Sequence, residues 1–177
     1  ALGLKAGFLS GKILLNLDTE EDDELDIGCA GGVDVTATKT YTEETANGAS
    51  FKLTLKGLNG GHSGMQIHEG LGNSNKLIAR LLNVGLEFGL QIAHMEGGSL
   101  RNAIPRESWA NIVIPTANVE AFTKAYETLR AEIIEEYITK EPKMVITLEV
   151  TEVKSAMSFQ DSKTFVQTVM AAFNGVY

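Results

Sequence analysis

Residues 51–87 read FKLTLKGLNGGHSGMQIHEGLGNSNKLIARLLNVGLE, and three patterns in that stretch decide the fold class. Phe51, Leu53 and Leu55 alternate with Lys52, Thr54 and Lys56, the period-two signature of a strand with one buried face. Gly57 to Gly72 then holds six glycines and two histidines, a composition that predicts an unusually long loop. From about Asn73 to Glu87, Leu77, Ile78, Leu81, Leu82 and Leu86 recur on one face at helical spacing.

Toward the C-terminus, Leu90 to Met95 and Ser108 to Ile114 read as two strands separated by the loop GGSLRNAIPRE. Asn118 suits the N-cap of a second helix, on which Val119, Phe122, Tyr126, Leu129, Ile133 and Tyr137 keep helical spacing until Pro142. Met144 to Val153 is a further strand, and Asp161 is expected to cap a last helix reaching about Phe173. The order from Phe51 to Val153 is therefore β-α-β-β-α-β. This is an α+β, ferredoxin-like layer, an antiparallel sheet with two helices on one face. The strand from Phe51 is expected at a sheet edge, where a second chain could pair with it.

Toward the N-terminus the character changes. Residues 12–17 (KILLNL) form a short, nearly all-apolar run, as a strand buried on both faces would, and are expected to belong to a different domain. Residues 25–35 alternate and break at Gly31-Gly32, and Val35 to Thr45 reads as a threonine-rich, half-exposed strand.

With 177 residues, 44% hydrophobic and 21% charged, the chain can bury a real core. No apolar run approaches the roughly 18 to 20 residues that span a bilayer, and no secretory leader is visible. The single cysteine, Cys29, has no internal disulfide partner and reads as a small buried hydrophobe rather than a nucleophile. A cytoplasmic location is the natural inference. The opening residue is Ala1, and the chain is expected to be a piece of something longer. The net charge of −8 is concentrated: seven acids lie between Asp18 and Asp26, and without them 16 acids face 15 bases. No basic stripe offers a phosphate footprint, so nucleic acid is not an expected partner.

Few residues could carry chemistry. Asp18 directly follows the buried run, at the strand end where open α/β sheets hold ligands, and a carboxylate there suits a metal ion. The alternative is a solvated acidic turn. His62, between Gly61 and Ser63-Gly64, is presented on a loop, where imidazole can donate to an oxyanion, relay a proton or bind metal. It could equally be a plain surface histidine, the reading favoured for His68. Asn102 and Arg106 flank Pro105, an amide and a guanidinium suited to a carboxylate or peptide carbonyl, or simply a turn with a solvated arginine. Trp109 reads as packing.

The words LLNLDTEE, DIGCAGG, FKLTLKGLNGGHSG with IHEGLGN, and GGSLRNAIPRE, in this order, resemble the aminoacyl-histidine dipeptidases, also called cytosol nonspecific dipeptidases. These belong with carnosinase and aminoacylase among the dinuclear zinc peptidases. The resemblance implies a two-domain enzyme whose catalytic domain is interrupted by a lid that dimerises. Residues 1–31 would then end a catalytic-domain segment, residues 32–158 would form the lid, and residues 159–177 would be the C-terminal helix of a lid that continues further. By the same resemblance Asp18 inherits a zinc-ligand role, and His62 the stabilisation of the tetrahedral intermediate, from a neighbouring subunit in related dimers. Asn102 inherits a link to substrate binding, and Arg106 stands beside it as a candidate for the same ligand on its chemistry alone. Two zinc ions and a dipeptide substrate are implied for the intact enzyme. The HxD motif, the Glu-Glu pair and the distal histidine of that metal site are not in this sequence. The chain by itself is therefore expected to be inactive and to hold no zinc. The alternative is a free-standing ferredoxin-like module that binds a small molecule or partner without catalysis.

Overall fold

The computed structural model describes residues 31–176 together with residues 5, 7, 8, 10–13, 15 and 23. The chain divides into two compact units, residues 1–38 and 39–177. In the first unit the described residues form no helix or strand. Ile13 and Leu15, in the expected strand at 12–17, are 83% and 80% exposed. A strand buried on both faces needs flanking strands, and the described residues of this unit supply none. Asp18 and Cys29 lie outside the described residues.

The second unit carries the elements β1 (Glu43–Thr45), β2 (Ala49–Lys56), β3 (Gly61–His62), α1 (Ser74–Leu86), β4 (Gln91–Gly97), β5 (Ala103–Ile104), β6 (Ser108–Ile114), α2 (Val119–Tyr137), β7 (Val145–Val150), β8 (Ser155–Met157) and α3 (Phe159–Ala171). The main sheet has the order β4-β6-β2-β7, every neighbouring pair antiparallel. That is the ferredoxin-like arrangement expected from the β-α-β-β-α-β order.

One expectation is corrected here. The strand from Phe51 is not at an edge: β2 lies between β6 and β7, and Leu53 faces Ala110 on one side and Leu148 on the other. Pairing explains it, since β6 on one side and β7 on the other take up the backbone groups of β2 and leave it no free edge. Among the described residues β7 pairs with β2 alone, so the open edge belongs to β7. The edge of β4 is partly covered, because its Ile92 N–H donates to the buried Ser162 hydroxyl of α3 at 2.9 Å.

The core sits between the sheet and the helices. Leu53, Leu55, Ile92, Ala110, Ile112, Ile114 and Ile146 meet Leu77, Ile78, Leu81 and Leu82 of α1 and Phe122, Tyr126 and Ile133 of α2. Val166 brings α3 into the same cluster, so three helices share in a core where the sequence suggests two. Burial pushes the Tyr126 phenol up to about 12.

The helix ends show how local chemistry sets boundaries. The Asn73 side chain accepts from the N–H groups of Asn75 and Lys76 and starts α1. Asn118 precedes α2 but does not cap it with its side chain, which donates instead to Phe88 O at 3.0 Å. The N-cap of α3 is Ser158 rather than Asp161, whose N–H donates to the Ser158 hydroxyl oxygen at 3.1 Å. Asp161 in turn accepts from Lys39 Nζ at 2.8 Å and from the Thr42 N–H at 3.3 Å. Lys39, Ser158 and Thr42 together hold its carboxyl down at about 2. The strand expected from Val35 begins only at Glu43, because Ser155–Met157 offers a pairing partner to Glu43–Thr45 alone. No helix among the described residues is long and apolar enough to cross a membrane.

Candidate functional site

The glycine-rich loop and the loop after β4 are far apart in sequence and meet in space. β3 pairs antiparallel with β5, which puts Gly61 opposite Ile104 and His62 opposite Ala103. The Ser63 N–H extends this pairing by donating to Asn102 O at 2.9 Å. Ile104 is buried at 4% exposure, and Pro105 O accepts from the Ser74 N–H at 2.9 Å, so the second loop is anchored to the start of α1.

His62 is held by its own turn. Its N–H donates to Gln66 Oε1 at 2.9 Å, and its carbonyl accepts from the Gln66 N–H at 3.0 Å. The ring nitrogen Nδ1 accepts from the N–H groups of Gly64 and Met65, each at 3.1 Å. A ring nitrogen that accepts carries no proton, so in the neutral ring the proton resides on Nε2. Nε2 has no partner among the described residues and is available as a donor.

A cleft of about 550 Å³ brings His62, Asn102 and Arg106 together. Asn59, Glu96, Glu107 and Trp109 line it as well. All three candidate residues are exposed, and Arg106 forms no ion pair with a described residue. The cleft thus combines an imidazole N–H donor, an amide and a guanidinium, a set suited to a polar, carboxylate-bearing ligand with a carbonyl to polarise. His68 lies in a separate turn, Ile67–Glu69, is exposed, and does not line the cleft. Among the described residues no group of three or more His, Cys, Asp or Glu could hold a metal ion.

Two residues gain a place that the sequence did not suggest. Trp109, expected as packing, is half-buried and forms part of the cleft wall. Glu141 is buried at 2% exposure and accepts from the N–H groups of Asn59 at 2.7 Å and Gly72 at 2.8 Å. Its partners are 82 and 69 residues away in the chain, and no local pattern links them.

Comparison with known proteins agrees with this architecture. Residues 53–141 match the family described as the peptidase dimerisation domain. The chain is 41% identical over 180 aligned positions to the cytosol non-specific dipeptidase of Escherichia coli (strain K12), covering 99% of this chain and 37% of that protein. It superposes on the crystal structure of aminoacylhistidine dipeptidase from Vibrio alginolyticus with a TM-score of 0.77 and 37% identity, covering 99% of this chain and 36% of that one. The chain therefore spans a little over a third of the length of each.

Proposed function

The chain belongs to the family of peptidase dimerisation domains, and on that premise we propose that it is the lid and dimerisation region of a zinc dipeptidase that hydrolyses Xaa-His and other dipeptides. In this reading residues 32–158 are the lid, residues 1–31 end a catalytic-domain segment, and residues 159–177 add a lid helix. Cytosolic location goes with the reading, as the name of the E. coli relative supports.

The observation that carries it is the hydrogen bonding of His62. Two backbone N–H groups occupy Nδ1 and leave Nε2–H as the donor, in a cleft shared with Asn102 and Arg106. Nε2–H would donate to the oxyanion that forms when the scissile carbonyl becomes tetrahedral, an interaction stronger in the transition state than in the bound dipeptide. Arg106 would hold the substrate carboxylate, and the Asn102 amide would orient the peptide group. The described residues do not supply a metal site. Two zinc ions belong to the proposal only through the rest of the protein, with Asp18 the one ligand assigned to this chain. A homodimer would form through the lid, and the open edge of β7 offers the pairing surface.

The test uses the full-length protein. His62→Ala should lower kcat by roughly 10² to 10³-fold on an Xaa-His dipeptide. Zinc content should stay normal, and His68→Ala should cost far less. Mixed dimers of subunits lacking Asp18 and subunits lacking His62 should recover part of the activity if the imidazole works across the interface. Unchanged turnover in His62→Ala would remove the residue from catalysis.

A further inference from the structure

The histidine loop is long and glycine-rich, and such a loop does not hold an imidazole donor in place by its own composition. Six glycines between Gly57 and Gly72 raise the entropy that ordering must overcome. Something must therefore hold its ends, and the structure supplies one buried group that does. Glu141 Oε2 accepts from the Asn59 N–H at 2.7 Å, and Oε1 accepts from the Gly72 N–H at 2.8 Å. Asn59 precedes His62 and Gly72 follows it, so one carboxylate bridges both ends of the loop.

We infer that Glu141 is the positioning residue of His62, a clasp that closes the glycine loop so that the imidazole faces the cleft at a fixed place. The inference rests on the proposed role of His62 for its catalytic meaning, but not for its geometry. Glu141 is itself fixed, because its N–H donates to Tyr137 O at 2.7 Å at the end of α2 and its carbonyl accepts from the Met144 N–H at 3.0 Å. No described lysine or arginine pairs with its carboxylate, which is buried and served by backbone donors alone. Charge-assisted bonds of this kind are about twice as strong as neutral ones. Two neighbouring contacts tighten the same join: Asn59 Nδ2 donates to Lys140 O at 2.6 Å, and Lys140 Nζ donates to Glu69 O within the loop. Gly72 admits the carboxylate closely, since a Cβ there would stand 3.3 Å from Glu141 Cγ and 3.1 Å from a Leu58 methyl.

A carboxylate can accept from both N–H groups at once, whereas a glutamine side chain has one acceptor and turns an NH₂ group toward the other donor. In this chain, Glu141→Gln should speed amide exchange at Asn59, Ser63, Gln66 and Gly72 by about 10- to 100-fold, the worth of one hydrogen bond to a charged group. Amides of β2 and β6 should keep their wild-type rates. The ¹⁵N spectrum of His62 should shift from a single Nε2–H tautomer to a mixture as the contacts to Gly64 and Met65 loosen. Should Glu141→Gln fail to fold, the unsubstituted chain still decides: Asn59 and Gly72 should show one common protection factor, each rate taken relative to that amide's unprotected rate, because one clasp protects both. Unequal protection at the two amides, or an unchanged loop and tautomer in a folded Glu141→Gln chain, would overturn the inference. In the full-length protein Glu141→Gln should lower kcat about tenfold or more with little change in KM. A loosened loop with unchanged kcat would support the clasp and overturn the catalytic role of His62, so the two ideas fail separately.

Discussion

Gly97→Ala is the substitution whose cost the structure makes most legible. Gly97 ends β4, pairs with Ser108, and lines the cleft that holds His62. A Cβ built there would stand 2.1 Å from Asn75 Oδ1, 2.4 Å from Ser108 Cβ and 2.9 Å from Ser108 Oγ. Non-bonded heavy atoms attract only from about 3.5 Å outward, so more than an ångström of movement is needed on two sides. Neither neighbour yields readily: Ser108 is fully buried on the central strand β6, and Asn75 is in the first turn of α1. Overpacking of this kind costs about 1 to 3 kcal/mol. Displacing Asn75 also endangers its hydrogen bond to Gly97 O at 3.3 Å, for a further ~0.5 to 1.5 kcal/mol. At roughly 4 °C per kcal/mol for a unit of this size, the melting temperature should fall by about 6 to 18 °C. Thermal unfolding followed by far-UV circular dichroism measures that shift, and urea unfolding should show the same loss of free energy with the slope of the transition unchanged. Gly32→Ala is the control, because nothing lies within 4 Å of a Cβ there and the change should stay within about 0.5 kcal/mol. A Gly97→Ala chain as stable as wild type would refute the steric reasoning.

Leu55→Ala, at a fully buried position of β2, should destabilise by about 2 to 5 kcal/mol in the same assay. Val150→Ala, at 84% exposure on β7, should change little. Asp161 has a folded-state pKa of about 2, below its ordinary 3.8, so its latch to Lys39, Thr42 and Ser158 contributes stability above the ordinary value and loses it as pH falls through about 2. Acid titration followed at the Thr42 amide should show that loss, and Asp161→Asn should abolish it. If the chain pairs through β7, light scattering over a dilution series should show a monomer–dimer equilibrium that Val150→Lys shifts toward monomer. An unaltered equilibrium in Val150→Lys would move the interface elsewhere.

The period-two run at 51–56, the helical spacing at 77–82 and 122–133, and the strand at 108–114 determined the ferredoxin-like layer from the sequence alone. In each of these segments the core is reached through a repeat the chain itself carries, so burial can be read residue by residue. The loop word around His62 and the word containing Asn102 and Arg106 were likewise legible as candidate chemistry, through glycine content and through resemblance. What the sequence could not say was how separate segments meet. The place of β2 in the middle of the sheet followed from which strands found it, not from its alternation, which edge and central strands share. The shared cleft depended on the short pairing of His62 with Ala103, a contact with no periodic signature. Glu141 was invisible for the same reason: a lone acid after an amphipathic helix has no meaning until folding carries Asn59 and Gly72 to its two oxygens. Local patterns record which face of an element is buried. Only the tertiary structure brings together groups whose attraction depends on a separation of a few ångströms and not on their distance along the chain.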